Sequence, residues 1–328
     1  MKIVRITDRE GIYRGIDLWN RENPAYQIRE RLIEQNIFAP YAGVNVVGWE
    51  CTEQDELLAF GLAKYLDNPI ADYTDPATGW LSLLVVNSKN STGCLAGKAL
   101  LVEIERFLSR KGVQKLRMGG DPQNFLAGLP VELGDYYLSL LEERGFNTYS
   151  REFDLYCDIS GFQVPARIEK IEAEFKGKLL ARPVTMEQET YLLNFLQTNF
   201  PGRWYYEAEN IKRIPGGIDD YWLLWYQGKA VGFVRTNTVD SAYLGCNVNW
   251  GSRWGNKYCG LGPIGIDNNF RGKGWGLYLI GLIINNFREK GYRHMVIDWT
   301  TLVDYYRKLG FTPLIEYRAM GKEGLEGS

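Results

Sequence analysis

The sequence predicts an α/β protein with a mixed sheet, built as two like units in tandem. Three observations carry that expectation. Strand-like and helix-like stretches alternate through each half, short segments of the first half recur in order in the second, and a turn-rich, charged stretch separates them. At roughly 100–200 residues per domain, a chain of 328 residues holds about two. Each half is long enough to bury its own core without a disulfide or a metal.

The recurrence is visible residue by residue. Ile3-Val4-Arg5-Ile6-Thr7 resembles Ala181-Arg182-Pro183-Val184-Thr185, and Gly97 to Gly112 lines up with Gly276 to Gly291, at offsets that differ by one residue. Glu143-Arg144-Gly145-Phe146 matches Lys308-Leu309-Gly310-Phe311 at a smaller offset, so the first copy carries an insertion near Gly119 to Asn124. The seam falls between Ile159 and Leu180, where Gly161, Pro165 and the charged run from Arg167 read as a turn and a short connecting helix. The expected boundaries are 1–160, a linker at 161–178, and 179–328.

In the second half, Tyr221–Tyr226 and Ala230–Val234 flank Gln227-Gly228-Lys229 as a hairpin. Tyr258–Ile266 is a strand, and Gly276–Phe287 is a helix so densely apolar that most of it must be buried. Met295–Trp299 is a strand, Leu302–Leu309 a helix, and Ile315–Met320 a closing strand.

Composition narrows the function classes. With 38 basic against 40 acidic residues and a net charge of −2, nothing favours nucleic acid or an anionic membrane as partner. No uncharged apolar run reaches the ~18–20 residues of a membrane span, and the alternating start from Met1 to Glu10 reads as a strand, not a signal peptide. Five scattered cysteines without a Cys-x-x-Cys pair point to buried free thiols in a reducing cytoplasm. The single histidine, His294, leaves zinc sites and His-based catalytic triads poorly provisioned, so no metal is expected.

The chemistry concentrates in Gly262 to Gly276. A strand ends, and a loop carrying Gly272, Gly274 and Gly276 opens directly into a helix. Glycines let the backbone take left-handed angles and approach a ligand closely, and amides converging at a helix N-terminus make a phosphate site. Arg271 and Lys273 add positive charge. The loop taken alone reads equally as a helix-opening turn with a solvated basic edge. P-loop and Rossmann spacings are both absent, because Gly97-Lys98 is followed by Ala99 and Gly274-x-Gly276 is followed by Leu279 at the third-glycine position.

Arg271-x-x-Gly274-x-Gly276, followed by Tyr306-Arg307-Lys308-Leu309-Gly310-Phe311 with a strand between them, resembles the GNAT family of acyl-CoA-dependent N-acyltransferases. The duplicated organisation is similar to tandem GNAT proteins, of the kind that includes mycothiol synthase, over nearly the whole chain. The resemblance implies acetyl-CoA as co-substrate, with the backbone amides of Gly272, Lys273, Gly274, Trp275 and Gly276 holding its pyrophosphate. Ile264, Gly265 and Ile266 would pair with the pantetheine arm as an added strand. Tyr306 would be the acid that protonates the departing thiolate; as a residue alone it reads also as a core aromatic one turn from Leu302. The base that takes the amine proton is sought among Asp298, on the strand before that helix, and Glu207 and Glu209, read as lying in a loop.

The acceptor side is expected around Phe200 to Tyr206. Arg203, Trp204, Tyr205 and Glu207 combine flat aromatic faces with polar edges, which suits a sugar ring; the same aromatics read also as core. A small primary amine is therefore the expected acceptor, with an amino sugar such as glucosamine first. A non-catalytic acyl-CoA-binding module and a peptidoglycan-type aminoacyltransferase are the alternatives. In the first copy, Thr92 stands for Arg271, Leu95 for Gly274 and Leu141 for Tyr306, so that unit reads as a degenerate copy. Oligomeric state is not legible.

Overall fold

A computed structural model describes residues 1–75, 77–123 and 125–325. Asn124, at the end of the expected insertion, lies outside the described residues, as do the last three residues of the expected second domain.

The chain forms two compact units. In the first, β1 (Lys2–Ile6), β2 (Val44–Glu53), β3 (Glu56–Leu66), β4 (Thr78–Val86) and β5 (Lys115–Met118) lie side by side in that order. Every neighbour is antiparallel except β4 and β5, which run parallel. Helix α1 (Arg9–Glu22) begins where the Asp8 carboxylate accepts from the Gly11 amide at 2.7 Å. A short α2 (Glu30–Ile33) follows, and α3 (Gly93–Arg110) is the crossover that makes β4 and β5 parallel. A two-residue strand, β6 (Leu129–Pro130), precedes α4 (Asp135–Glu143) and β7 (Asn147–Asp158).

The second unit repeats this plan. α5 (Ala166–Glu174) precedes β8 (Leu179–Pro183), α6 (Glu189–Asn199), α7 (Arg203–Ile211), β9 (Tyr221–Tyr226), β10 (Lys229–Thr238), β11 (Tyr258–Ile266), α8 (Trp275–Glu289), β12 (His294–Thr300) and α9 (Val303–Arg307). The order β8-β9-β10-β11-β12 again has one parallel pair, β11 with β12, bridged by α8. Even the hairpin turns match. Gln54 and Asp55 take φ of 48° and 65°, and Gln227 and Gly228 take 50° and 77°, the positive pair a two-residue hairpin requires.

The sheets end on exchanged strands. Phe153–Asp158 of β7 pairs antiparallel with β12 in the second unit. The final strand, β13 (Thr312–Glu323), pairs with β5 in the first. The expected boundaries at 160 and 328 therefore cross the units at these two strands: local sequence places each strand beside the helix before it, and pairing across the chain decides otherwise. The expected linker at 161–178 also contains a packed element. Ile168 and Ile171 of α5 join the core of the second unit beside Ile280, Ile283 and Ile284 of α8, and a Cβ on Gly281 would meet Ile168 at 2.4 Å.

The expected buried thiols need one correction. All five cysteines are free, but Cys94 is exposed and Cys246 half-buried. Cys94 sits at the start of α3, where the first turn faces solvent. Among the described residues no helix is long and apolar enough to cross a membrane.

Candidate active site

In the second unit β11 and β12 pair from Tyr258 with His294 as far as Leu261 with Ile297, and then part. β11 continues on its other side, where Ile264, Gly265 and Ile266 pair with Val234, Phe233 and Gly232 of β10. β12 breaks register with β7 between Ile297 and Thr300, and Trp299 there takes a positive φ of 46°. The result is a wedge, one side being the strand edge at 262–266 and the other Asp298 and Trp299.

The glycine loop closes one end of that wedge. Gly272 and Gly274 have φ of 79° and 80°, a backbone that a residue with a Cβ rarely adopts. Gly274 caps α8, and among the described residues the N–H groups of Gly272, Lys273, Gly274, Trp275 and Gly276 have no acceptor. Unaccepted amides at a helix N-terminus fit a phosphate group. The side chains play other parts. Arg271 donates from Nε to the Ile266 carbonyl at 3.0 Å, which ties the loop to β11. Trp275 is buried against Phe270, ring centres 5.4 Å apart, so only its amide faces the loop. Lys273 lies exposed, its ammonium 5.7 Å from the Trp275 ring.

Asp298 stands at the fork. Cys246 Sγ donates to its Oδ2 at 2.6 Å, and Asn247 Nδ2 to its Oδ1 at 2.9 Å. Burial pushes its carboxyl above the usual carboxylate range, against the opposing pull of those two donors and Arg203. Tyr306 on α9 is 5% exposed, and burial, then Tyr305 and Asp298, push its phenol up, so it stays protonated. Its ring packs 5.2 Å from Tyr305 and 6.3 Å from Phe311, making it a core aromatic as well. Among the described residues neither tyrosine hydroxyl forms a hydrogen bond. The Tyr305 hydroxyl comes within 2.5 Å of where a Cβ on Gly276 would be.

The expected acceptor-side residues begin α7. Arg203 lies over the Trp299 ring at 3.9 Å and donates from Nε to Glu207 at 2.6 Å. Trp204 packs on Phe200 and Phe233, with ring centres 4.9 and 5.6 Å away, while Tyr205 is half-buried. Glu207 and Glu209 were expected in a loop, and they lie on this helix, because Gly202 opens it and no breaker follows before Lys212. Both are engaged: Glu207 is buried against Arg203, and Glu209 pairs with Lys212 at 2.9 Å. His294 opens β12, at the opposite end of the paired stretch from the fork.

Sequence reasoning missed Cys246 and Asn247. Their signal was Gly260 and Gly262 within a strand, a pattern that marks close approach. A Cβ on Gly260 would meet the Asn247 side chain at 2.2 Å, and one on Gly262 would meet Asp298 Oδ1 at 2.7 Å.

The first unit builds the same fork and bridges it. β4 and β5 pair as far as Leu81 with Met118, the Gly119 amide donating to the Leu81 carbonyl at 3.0 Å as the last bond of that pair. Ser82 Oγ and Lys64 Nζ both donate to Asp121, at 2.8 and 2.9 Å, with the Lys64 and Asp121 side chains 1% and 0% exposed. The Tyr137 hydroxyl accepts from the Val86 amide at 3.2 Å, and the Tyr136 hydroxyl donates to the Cys94 carbonyl at 2.9 Å. Of the residues aligned with the loop and Tyr306, Thr92 precedes α3, Leu95 is 60% exposed and Leu141 is buried.

The second unit has the forked parallel pair and the amide cradle on the crossover helix of the GNAT fold, and the first unit repeats its strand plan. Residues 188–311 match the acetyltransferase (GNAT) family model. Among solved structures, a glucosamine N-acetyltransferase region of a fungal multi-domain β-N-acetylglucosaminidase superposes with TM-score 0.82 at 18% identity over 98% of the chain. The chain spans 38% of that protein's length. An N-acetyltransferase from Sphaerobacter thermophilus gives 0.65 at 14% identity, covering 98% of this chain and 95% of the other. A tandem GNAT protein from the clavulanic acid biosynthesis pathway gives 0.65 at 12%, covering both chains completely (100% each). No curated protein matches the sequence.

Proposed function

We propose that this chain is an acetyl-CoA-dependent N-acetyltransferase acting on the primary amine of a small molecule, with an amino sugar such as glucosamine first among acceptors. The observation that carries the reading is the wedge of the second unit, with the β11 edge beyond its pairing with β12 on one side, a carboxylate on the other and amides at its end that have no acceptor among the described residues.

Acetyl-CoA, when bound, supplies an activated acyl carbon. The amides of Gly272 to Gly276 take the pyrophosphate, and Ile264 to Ile266 offer backbone groups to the pantetheine arm. Asp298 accepts the proton that the amine loses as its nitrogen bonds to the acyl carbon. Tyr306, kept protonated by burial, gives its proton to the leaving sulfur. Arg203, stacked on Trp299 next to Asp298, orients acceptor hydroxyls. The likeness to a glucosamine N-acetyltransferase region and the aromatic surroundings of α7 support the amino-sugar choice. The first unit, its fork bridged, serves as a scaffold. Five free cysteines support a reducing, cytoplasmic setting.

Release of CoA thiol from acetyl-CoA, measured across a panel of amines, tests the reading. Glucosamine is expected to give the highest kcat/KM. Saturable acetyl-CoA binding with no amine-dependent release would make the chain a binding module instead.

A further inference from the structure

Asp298 is gripped at both oxygens by adjacent residues of one short turn, Cys246–Val248. Cys246 Sγ takes Oδ2, and Asn247 Nδ2 takes Oδ1 while also donating to the Gly262 carbonyl at 3.2 Å. Both hydrogens of that amide are spent. The reverse amide orientation would set its oxygen against two acceptors, so the chemistry fixes Asn247 as a donor. The turn is itself anchored, because the Tyr258 hydroxyl donates to the Asn247 carbonyl. Two bare strand positions, Gly260 and Gly262, make room for Asn247 and Asp298 to cross the strand. Asn247 is 1% exposed, and among the described residues its Oδ1 has no partner. A buried amide that leaves its own oxygen unsatisfied while using every hydrogen on the fork forgoes stability for orientation.

We propose that Asn247 and Cys246 are positioning residues that hold the Asp298 carboxylate in one orientation at the fork, ready to receive the amine proton. This rests on Asp298 being the base. A carboxylate oxygen can accept more than one donor, which leaves acceptor capacity for the amine proton. The charged and titratable groups facing Asp298 are Cys246 from the turn, Arg203 from α7 and Tyr306 from α9. Cys246 is held as the thiol, because burial first and Asp298 second raise it well above its ordinary value. It donates across the working pH range and is not itself the acceptor.

The test follows the Asp298 carboxyl by NMR in protein carrying ¹³C-labelled aspartate, assigned by difference from Asp298→Asn. The variants are Asn247→Ala, Cys246→Ala and Cys246→Ser, with acetyl-CoA affinity reporting an intact second unit. Removing a donor from the ionised form raises its pKa. Asn247→Ala and Cys246→Ala are therefore each expected to move the titration upward by about one pH unit. The acidic limb of kcat should move with it, with KM for acetyl-CoA unchanged. Cys246→Ser keeps the donor and should restore the wild-type titration. Should Asn247→Ala fail to fold, the two cysteine variants decide alone. An unmoved Asp298 titration in either alanine variant overturns the proposal. Full turnover in Asp298→Asn would instead remove the base on which it rests, whatever the titrations show.

Discussion

In the first unit the strands that part after Leu81 and Met118 are linked beyond that pair by a buried Ser82–Asp121–Lys64 cluster. In the second, beyond Leu261 and Ile297, the Asn247 amide reaches the Gly262 carbonyl of one strand and the Asp298 carboxylate of the other. Each unit sets a tyrosine pair beside its fork. The hydroxyls of Tyr136 and Tyr137 are bound to backbone groups of the first unit, whereas those of Tyr305 and Tyr306 have no hydrogen bond among the described residues. The same topology thus serves two ends. Polar groups satisfied by one another fill the first fork, whereas in the second the amides of Gly272 to Gly276 have no acceptor among the described residues.

The largest effect should come from undoing the first unit's bridge. Lys64→Met leaves the Asp121 carboxylate buried without its cation, which costs about 3–5 kcal/mol, readable as a lower urea midpoint. Adding Asp121→Leu should recover most of that loss. If the cluster only fills a fork, acetyl-CoA affinity stays at wild type in the double variant, and a fall in affinity would break the comparison.

A smaller contrast comes from placing one carboxylate at two aligned positions. Gly274→Glu sets charge and a Cβ where φ is 80° and the amides converge, and should weaken acetyl-CoA binding by at least an order of magnitude. Leu95→Glu puts the same group on the exposed counterpart in the first unit and should leave Kd unchanged. Titration calorimetry on the two variants separates the forks directly.

Tyr306→Phe sharpens the tyrosine comparison. Losing the acid should lower kcat roughly tenfold to a hundredfold, with acetyl-CoA affinity kept. The deficit should hold at neutral pH and shrink above about pH 8.5, where a thiolate leaves unaided. The raised phenol pKa has the matching sign, since wild-type Tyr306 remains a proton donor throughout that range. A deficit constant at every pH would make Tyr306 a packing residue.

Local signals made much of this legible. Periodicity located α8, the Gln227-Gly228 turn located its hairpin, and glycines beside a strand end located the amide cradle, because each depends on neighbours in the chain. Asp298 was reachable through its place after an apolar strand. The exchange of β7 and β13 was not, since a strand's pattern does not name its partner. Cys246 and Asn247 escaped for a related reason: they act on a strand far along the chain, and only the unused glycines at 260 and 262 hinted that something crosses there. The tyrosine pair of the first unit was hidden by alignment to Phe146, which put Leu141 opposite Tyr306. α4 is longer than α9, with nine residues against five, so its tyrosines reach the fork from further back.

The central claim is that one fork of the two receives acetyl-CoA, and stoichiometry tests it most directly. Calorimetric titration of acetyl-CoA into the whole chain should give one site per chain, and Gly274→Glu should lose it. Two sites, or one site that survives Gly274→Glu at wild-type affinity, would contradict the account.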